Sequence, residues 1–272
     1  MKILIAADME GISGVTKWDQ VDSSKPEYAR FQTVMTGEVN AAARGALDAG
    51  ADEVVAVDGH ADGSNILIEE LDARVRLNTG NASPLSMVQG IGENITGVYF
   101  IGYHARAGSQ NAVLAHTWSN RRVGNLWLND ILVGEYGLNA AVCGHFGVPV
   151  LMITGDQTAC AQAVELLGPL EVFVVKQASG FYSAECLSPE ESRKGIYATA
   201  RRAVERLKKG DTPEPFVLET PVNVRIEFLH PTMADKAMRF PKTERLDGRR
   251  IAFRAVDMLE AYLGFRAVLA MT

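Results

Sequence analysis

The chain has 272 residues, of which 47% are hydrophobic and 22% are charged, as is usual for a globular protein. This composition excludes wholesale disorder and a disulfide-dense scaffold. Because 33 acidic residues stand against 27 basic ones, the formal charge is −6, and the chain lacks the basic surface that binds nucleic acids and anionic membranes. We expect neither nucleic acid nor membrane as a partner, and small molecules or peptides instead.

The N-terminus and the cysteines indicate the cellular compartment. The chain contains no run of 18 apolar residues, and its first apolar segment meets Asp8 and Glu10 too early for a signal peptide. The 3 cysteines are widely spaced and odd in number, which is typical of a reducing compartment. We therefore expect a cytoplasmic protein.

Five apolar segments have the length of β-strands. They cover residues 2–7, 53–57, 97–103, 148–154 and 172–175, and they are continuously apolar rather than alternating. Continuously apolar strands are covered on both faces, as in a largely parallel sheet between helices. A helical pattern at residues 33–49 joins the first two strands into a βαβ unit. The segments predict a three-layer α/β fold with a largely parallel sheet and flanking helices.

The last third of the chain has a different pattern. Ser188 and Pro189 are typical of a helix start, and a helix is predicted over residues 187–209. Residues 222–228 and 251–255 then alternate apolar and polar, as half-exposed strands do. These elements predict a smaller C-terminal α+β unit.

The two patterns divide the chain into two predicted units. Residues 1–180 form an α/β core that contains the five apolar strands. Residues 181–272 form the C-terminal helix and the small α+β unit. We expect the functional residues to lie in the first unit, for the following reason.

Acidic and histidine side chains follow the predicted strands. In an open parallel sheet, ligands bind at the carboxyl edge, where the loops after the strands converge. The residues that reach this edge are Asp8 and Glu10, Asp58 and His60, His104, and Asp156. Side chains two positions apart in an extended segment share a face, so Asp8 and Glu10 can approach one ion together.

The residue types at this edge are those of a metal site. Carboxylates mixed with imidazoles, without thiolates, favour Zn²⁺, Mn²⁺ or Co²⁺ over Mg²⁺ or Ca²⁺. A carboxylate can also bridge two ions about 3.5–4 Å apart, as in phosphatases and aminopeptidases. The alternative is structural, because Asp and His after strands are also ordinary turn and helix-cap residues. Spacing alone leaves both interpretations open.

Two further candidates, His116 and Glu135, lie between the third and fourth predicted strands. Position alone favours a histidine packed beside Trp118 and an exposed acid at a helix start. For His145 and His230, which lie at a predicted helix end and before a proline, we expect structural roles.

Several long motifs in a fixed order resemble one known family. They cover residues 8–14 (DMEGISG), 58–60 (DGH), 86–88 (SMV), 102–107 (GYHARA), 134–140 (GEYGLNA), 149–152 (PVLM), 155–156 (GD), 186–189 (CLSP) and 257–262 (DMLEAY). Through these motifs, which spread over nearly the whole chain, the sequence is identified as a member of the zinc-dependent D-aminopeptidases of the DppA type, encoded with bacterial dipeptide-transport operons.

The resemblance implies an activity, an assembly and a site. The activity is the release of N-terminal D-amino acids from short peptides such as D-Ala-D-Ala, with two Zn²⁺ ions per subunit. The assembly is a ring-like homo-oligomer that encloses its active sites. The implied metal ligands are Asp8, as the bridging carboxylate, with Glu10, His60, His104 and Glu135, and the implied catalytic residue is His116.

The role of His116 stays open between general acid/base, oxyanion stabiliser and nucleophile. Its neighbours Ala115, Thr117 and Trp118 depart from the Ser-His-Ser-Met arrangement of the family's namesake. The resemblance therefore does not fix the lining of the pocket or its side-chain preference.

Two other functions use similar residues. A dinuclear phosphoesterase has similar ligands but gathers basic side chains to hold phosphate, and Arg106, Arg121 and Arg122 are the nearby candidates. A non-catalytic peptide-binding protein fits the transport-operon association of the family, but it does not need the complete set of ligand residues. We therefore favour metal-assisted peptide hydrolysis.

Overall fold

The computed structural model of the chain describes residues 1–80, 83–92 and 94–272. The strands in these ranges are β1 (Lys2–Ala7), β2 (Glu53–Asp58), β3 (Val75–Asn78), β4 (Gly97–Tyr103), β5 (Val123–Leu128), β6 (Ile131–Val133), β7 (Val150–Asp156), β8 (Glu171–Gly180), β9 (Ser183–Cys186), β10 (Val222–Phe228), β11 (Glu244–Arg245) and β12 (Arg250–Ala255). The α-helices are α1 (Tyr28–Asp48), α2 (Glu135–His145), α3 (Gln157–Leu167), α4 (Pro189–Lys208), α5 (Pro231–Ala237) and α6 (Met258–Met271).

The first sheet contains all the strands predicted from the continuously apolar segments. Its strands lie in the order β3-β2-β1-β4-β7-β8-β9, and every neighbouring pair is parallel except β8 with β9. The predicted helix after β1 forms as α1 and begins earlier than predicted, at Tyr28. The prediction of an α/β fold with a largely parallel sheet is confirmed.

Burial on both faces explains the continuously apolar strands. In β1, Ile3 and Ile5 belong to an apolar cluster with α1 and α4, whereas Leu4 and Ala6 belong to another with α2. All four side chains are fully buried. Because successive side chains of a strand point to opposite faces, a strand between two layers has no position left for a polar residue.

The second sheet is antiparallel, with its strands in the order β11-β12-β10-β5-β6. The predicted half-exposed strands form β10 and β12, and β10 alternates buried and more exposed residues. β5 and β6 are not predicted from the sequence. Helix α6 packs against β10, β12 and α2, and thereby joins this sheet to the first.

The predicted boundary at residue 180 stays a prediction. The second sheet takes β5 and β6 from before that position and β10 to β12 from after it. Helix α4, which follows the boundary, packs against α1 on the first sheet. Segments from both predicted units therefore contribute to each layer.

Helices α4 and α6 begin at side-chain caps that the sequence supplies. Before α4, Ser188 Oγ accepts the N–H of Glu191 at 3.2 Å, and Pro189 takes the first helical position. Before α6, the Asp257 carboxylate accepts the N–H of Glu260 at 2.8 Å. Both are the interactions expected of these residue types at a helix start. Within the described ranges, no helix combines the length and apolar character needed to cross a bilayer.

Candidate active site

Six side chains singled out by the sequence meet at the carboxyl edge of the first sheet. They are Asp8 and Glu10, which follow β1; His60, which follows β2; His104, which follows β4; His116, between β4 and β5; and Glu135, the first residue of α2. All six are buried, and the most exposed of them is only 9% accessible. A titratable cluster this far from solvent needs compensating interactions, since isolated buried charges are strongly unfavourable.

Two glycines allow the segments after β1 and β4 to approach each other. Gly11 donates its N–H to Gly102 O at 2.7 Å, and a Cβ on Gly11 would lie 2.0 Å from Tyr103 O. A Cβ on Gly102, whose φ is +73°, would lie 2.3 Å from Asp8 O. Only glycine permits both the contact and the left-handed backbone. This close approach brings the segment that carries Asp8 beside His104, the residue after Tyr103.

Asp8 lies between two histidines. Its Oδ1 is 3.3 Å from His60 Nδ1, and its Oδ2 is 3.4 Å from His104 Nε2. Beyond it, Glu10 Oε2 lies 2.9 Å from His60 Nδ1, and Glu135 Oε2 lies 3.1 Å from His104 Nε2. Each oxygen of Asp8 thus faces a separate carboxylate–imidazole pair, as a carboxylate that bridges two ions does.

His116 stacks on His104, with ring centroids 3.8 Å apart and planes inclined by 12°. Its Nε2 lies 3.8 Å from Glu10 Oε1 and 4.0 Å from Glu135 Oε2. These distances are longer than those that His60 and His104 make to the same carboxylates. His116 therefore lies at the edge of the cluster, with a ring nitrogen still within 4.8 Å of ligand atoms of His104 and Glu135.

Two expectations drawn from position alone need correction. The indole ring that packs edge-on against His116 is that of Trp18, at a centroid distance of 5.3 Å, whereas Trp118 packs against Tyr262. Glu135 is 6% accessible instead of exposed, and its Oε2 accepts the N–H of Trp118 at 2.7 Å. Glu135 starts α2, as predicted, but it faces the cluster rather than solvent.

In His60, His104 and His116, the ring nitrogen that points away from the carboxylates (the outer nitrogen) lies within hydrogen-bond distance of a backbone carbonyl. His60 Nε2 lies 2.8 Å from Val21 O, His104 Nδ1 lies 3.0 Å from Ala105 O, and His116 Nδ1 lies 2.8 Å from Leu114 O. Because a carbonyl can only accept, these nitrogens carry the proton, and in a neutral ring the inner nitrogen presents a lone pair to the carboxylates. Lone pairs that face carboxylate oxygens repel unless a proton or a metal ion lies between them. Metal-binding histidines are oriented in this way.

Two carboxylate oxygens of the cluster lack a hydrogen-bond partner. Asp8 Oδ2 and Glu10 Oε2 are buried, and no described residue donates to either with hydrogen-bond geometry. Within each of two overlapping groups, Asp8, Glu10 and His104 in one and His104, His116 and Glu135 in the other, the potential ligand atoms lie within 4.8 Å of one another. A bound cation compensates such oxygens, and nitrogen with oxygen donors suits zinc. The residues present therefore fit a metal centre.

Burial and charge shift the pKa values of the cluster. Burial, together with the Glu10 carboxylate, raises the pKa of Asp8 to about 7. Although burial opposes it, the charge of His60 holds the pKa of Glu10 well below its ordinary value. Burial and the nearby charge of His104 lower the pKa of His116 to about 4. Perturbations of this kind in a cavity are typical of functional sites.

The cluster opens into a cavity of about 820 Å³. Besides the cluster, the charged residues among the described part of the cavity wall are Asp19, Asp22, Lys25 and Arg121. A cavity of this size accommodates a short peptide. Its acidic residues outnumber its basic ones, which suits a ligand with a free, positively charged amino group.

Asp58 and Asp156, which also reach this edge, have structural roles. Asp58 Oδ2 accepts the N–H groups of Asn65 and Ile66 at 2.5 and 2.7 Å, and so orders the loop after β2. Asp156 Oδ1 caps the first turn of α3, and its Oδ2 accepts the N–H of Val113 at 2.8 Å. Both carboxylates shape the loops that carry the cluster histidines.

Sequence reasoning did not single out three residues near the cluster. Trp18 lies in a polar connection without periodic pattern, and nothing local marks it. Lys176 and Glu38 are 1% and 0% accessible. The sequence contains a sign that both are buried, because Lys176 directly continues an apolar strand and Glu38 lies on the apolar, alanine-rich face of α1.

The chain resembles known proteins in both sequence and architecture. The model of the M55 peptidase family, described as D-aminopeptidase, matches residues 1–267. The D-aminopeptidase of Bacillus subtilis (strain 168) is 38% identical over 273 residues, which cover 100% of this chain and 97% of that protein. A solved structure, described as the Zn-dependent D-aminopeptidase DppA from Bacillus subtilis, a self-compartmentalizing protease, matches with a TM-score of 0.95 at 35% identity and covers 100% of this chain and 97% of that one.

Proposed function

The chain belongs to the M55 family of D-aminopeptidases, and on this premise we propose that it is a zinc-dependent enzyme that releases N-terminal D-amino acids from short peptides such as D-Ala-D-Ala. One observation carries the proposal. It is the buried cluster of three carboxylates and three imidazoles, in which the ring nitrogens of His60 and His104 lie 2.9 to 3.4 Å from carboxylate oxygens. The description of the related Bacillus subtilis structure as zinc-dependent supports the choice of metal.

The arrangement supports two ions per subunit. In this proposal Asp8, Glu10 and His60 hold one ion, and Asp8, His104 and Glu135 hold the other. Asp8 faces both histidines with different oxygens, which suits a shared ligand. Three buried carboxylates also supply negative charge that a pair of divalent cations compensates.

The chain's own residues complete the chemistry. When bound, zinc supplies Lewis acidity that activates water and polarises the scissile carbonyl. The acidic residues of the cavity attract the free amino terminus of the peptide. His116 accepts a proton at Nε2, because Leu114 O fixes the other ring proton on Nδ1 and leaves Nε2 directed at the cluster, and once protonated there it donates to the leaving group or stabilises the oxyanion.

Hydrolysis assays on the purified, zinc-loaded protein test the proposal. We expect D-Ala to be released from D-Ala-D-Ala, while L-Ala-L-Ala resists. Chelation is expected to abolish the activity, and added Zn²⁺ to restore it. Hydrolysis of a phosphate ester instead would indicate the phosphoesterase, for which Lys25 and Arg121 are the basic residues among those described in the cavity wall. Peptide binding without hydrolysis would indicate a non-catalytic protein.

We also propose that the chain assembles into a ring-like homo-oligomer. The related Bacillus subtilis structure is described as a self-compartmentalizing protease. An enclosed site admits short peptides and excludes folded proteins, whereas an isolated subunit leaves the cavity accessible to both. Analytical ultracentrifugation is expected to give a mass several times the 29.5 kDa of one chain. A fully active monomer would contradict this assembly.

A further inference from the structure

A second groove adjoins the active-site cavity. Its volume is about 490 Å³, and Trp18, His116 and Asn120 line both spaces. The proposed metal ligands are absent from the described residues that line this groove. His116 therefore lies at the junction between the space that holds the ligands and the space that does not.

The wall of this groove is apolar and is held beside His116. Phe181 and Tyr182, 41% and 60% accessible, form the two-residue connection between β8 and β9. Turns of this length usually use Gly, Asn or Asp, so backbone geometry does not require two aromatic rings here. The N–H of Leu114 donates to Phe181 O at 3.0 Å, which fastens the turn to the loop that carries His116.

Charged side chains are nearly absent from the described part of the groove wall. Leu229 contributes another apolar side chain and is 45% accessible. Among the described residues that line the groove, His116 is the only one of the types Asp, Glu, Lys, Arg and His. This contrasts with the acidic cavity on the other side of the junction.

We propose that this groove binds the part of the peptide that follows the scissile bond and that it selects apolar side chains there. The inference rests on the proposed aminopeptidase function. The amino-terminal residue stays with the metal ligands and the scissile carbonyl lies at His116, so the chain beyond that bond continues into the groove. An apolar side chain that packs against Phe181, Tyr182 and Leu229 is removed from water, which is favourable. A charged side chain in the same place finds no group of opposite charge.

A comparison of substrates that differ beyond the scissile bond tests this subsite. The kcat/KM of the zinc-loaded enzyme is measured on D-Ala-D-Phe and D-Ala-D-Lys, each relative to D-Ala-NH₂, whose leaving ammonia does not extend into the groove. The natural chain is expected to prefer D-Phe over D-Lys by about 10-fold or more. Leu229→Asp is expected to reduce that preference by at least about 10-fold, because the new carboxylate attracts lysine. Leu263→Asp, at a 42% accessible position of α6, is the matched control and keeps the natural ratio.

The outcomes are distinguishable. An unchanged ratio of D-Phe to D-Lys in Leu229→Asp overturns the subsite. An equal loss on every substrate, together with a smaller mass in ultracentrifugation, means that a second copy of the chain covers the groove, which also overturns it. If the natural chain hydrolyses none of the substrates, D-Ala-NH₂ included, the proposed function itself fails.

An independent observation concerns a buried lysine. Lys176 lies in β8, and its Nζ donates to the backbone oxygens of Glu10, Ile12 and Val15 at 2.6, 3.0 and 2.7 Å. These bonds use all three ammonium protons. All three acceptors belong to the short segment that carries the Glu10 carboxylate.

Glu38 of α1 holds the same segment through an amide. Its Oε1 accepts the N–H of Ser13 at 3.0 Å and the hydroxyl of Ser192 at 2.6 Å. We infer, on the basis of the proposed metal centre, that Lys176 and Glu38 are positioning residues that fix the segment from Glu10 to Val15 and thereby direct the Glu10 carboxylate at the proposed metal site. Neither side chain reaches the reacting atoms.

Zinc affinity tests the positioning role. Lys176→Met is expected to weaken zinc binding by about 10–100-fold, as loss of a residue that orients a ligand does. It is also expected to shift the visible spectrum of the Co²⁺-substituted protein. Lys208→Met is the matched control, because Lys208 also donates to a backbone oxygen, that of Ala49, outside the cluster. Ser192→Ala removes one bond to Glu38 and is expected to weaken zinc binding less.

Zinc affinity and a Co²⁺ spectrum in Lys176→Met equal to those of the natural chain overturn the inference. If Lys176→Met does not fold, Ser192→Ala decides, and natural zinc affinity in that variant overturns it as well. Equal losses in Lys176→Met and the Lys208→Met control show a general effect on stability and also overturn it.

Discussion

Replacing His104 by alanine is expected to remove at least one zinc ion per subunit and to lower kcat by about 10²–10⁴-fold, the equivalent of the several kcal/mol that a catalytic metal supplies. His104 Nε2 faces both Asp8 and Glu135, so without it these carboxylates lose the nitrogen donor between them. The fold is expected to persist, because the substitution leaves the apolar side chains of β1 and β4, which are buried on both faces of the sheet, unchanged. Zinc content, turnover and thermal unfolding are measured on the same preparation.

His145→Ala is the control for this variant. His145 ends α2, the helix that Glu135 begins, but its side chain is exposed. It is expected to keep the zinc content and turnover of the natural chain. Full zinc occupancy and unchanged turnover in His104→Ala would remove His104 from the site.

The first sheet could be predicted from the sequence because its strands are buried on both faces. Such strands are continuously apolar, so each is visible without knowledge of its neighbours. β5 is not visible in this way, because Gly124 and Asn125 interrupt its pattern. Its stability comes from β10, about a hundred residues away in sequence, through the ladder and through Asn125 Nδ2, which donates to Glu227 Oε2 at 2.7 Å.

The candidate site could be predicted in part from the carboxyl-edge rule. That rule selects Asp8 and His104, which the structure brings together, but it selects Asp58 and Asp156 equally. Local sequence does not distinguish a carboxylate that turns into the cluster from one that accepts loop N–H groups, because the direction of the side chain depends on tertiary structure. Glu135 begins a helix after a hairpin, so only the family resemblance pointed to it.

His116 is the residue for which the structure adds most to the sequence prediction. Its Nε2 lies 3.8 Å from Glu10 Oε1 and 4.0 Å from Glu135 Oε2, whereas His60 Nδ1 lies 2.9 Å from Glu10 Oε2. His116 also lines both the active-site cavity and the adjoining groove, which supports a role at the reacting centre rather than as a metal ligand. The bond from Nδ1–H to Leu114 O and the contact with Trp18 fix the ring in that position.

His116→Ala is therefore expected to bind zinc and substrate nearly normally but to lose about 10²–10⁴-fold in kcat, the range for a group that transfers a proton or stabilises an oxyanion. KM is expected to change little, since an interaction made only in the transition state does not contribute to substrate binding. The measurement pairs zinc stoichiometry with kcat and KM on D-Ala-D-Ala for both proteins. Loss of zinc would make His116 a ligand, and a kcat within a few-fold of the natural value would leave it as a packed neighbour of Trp18.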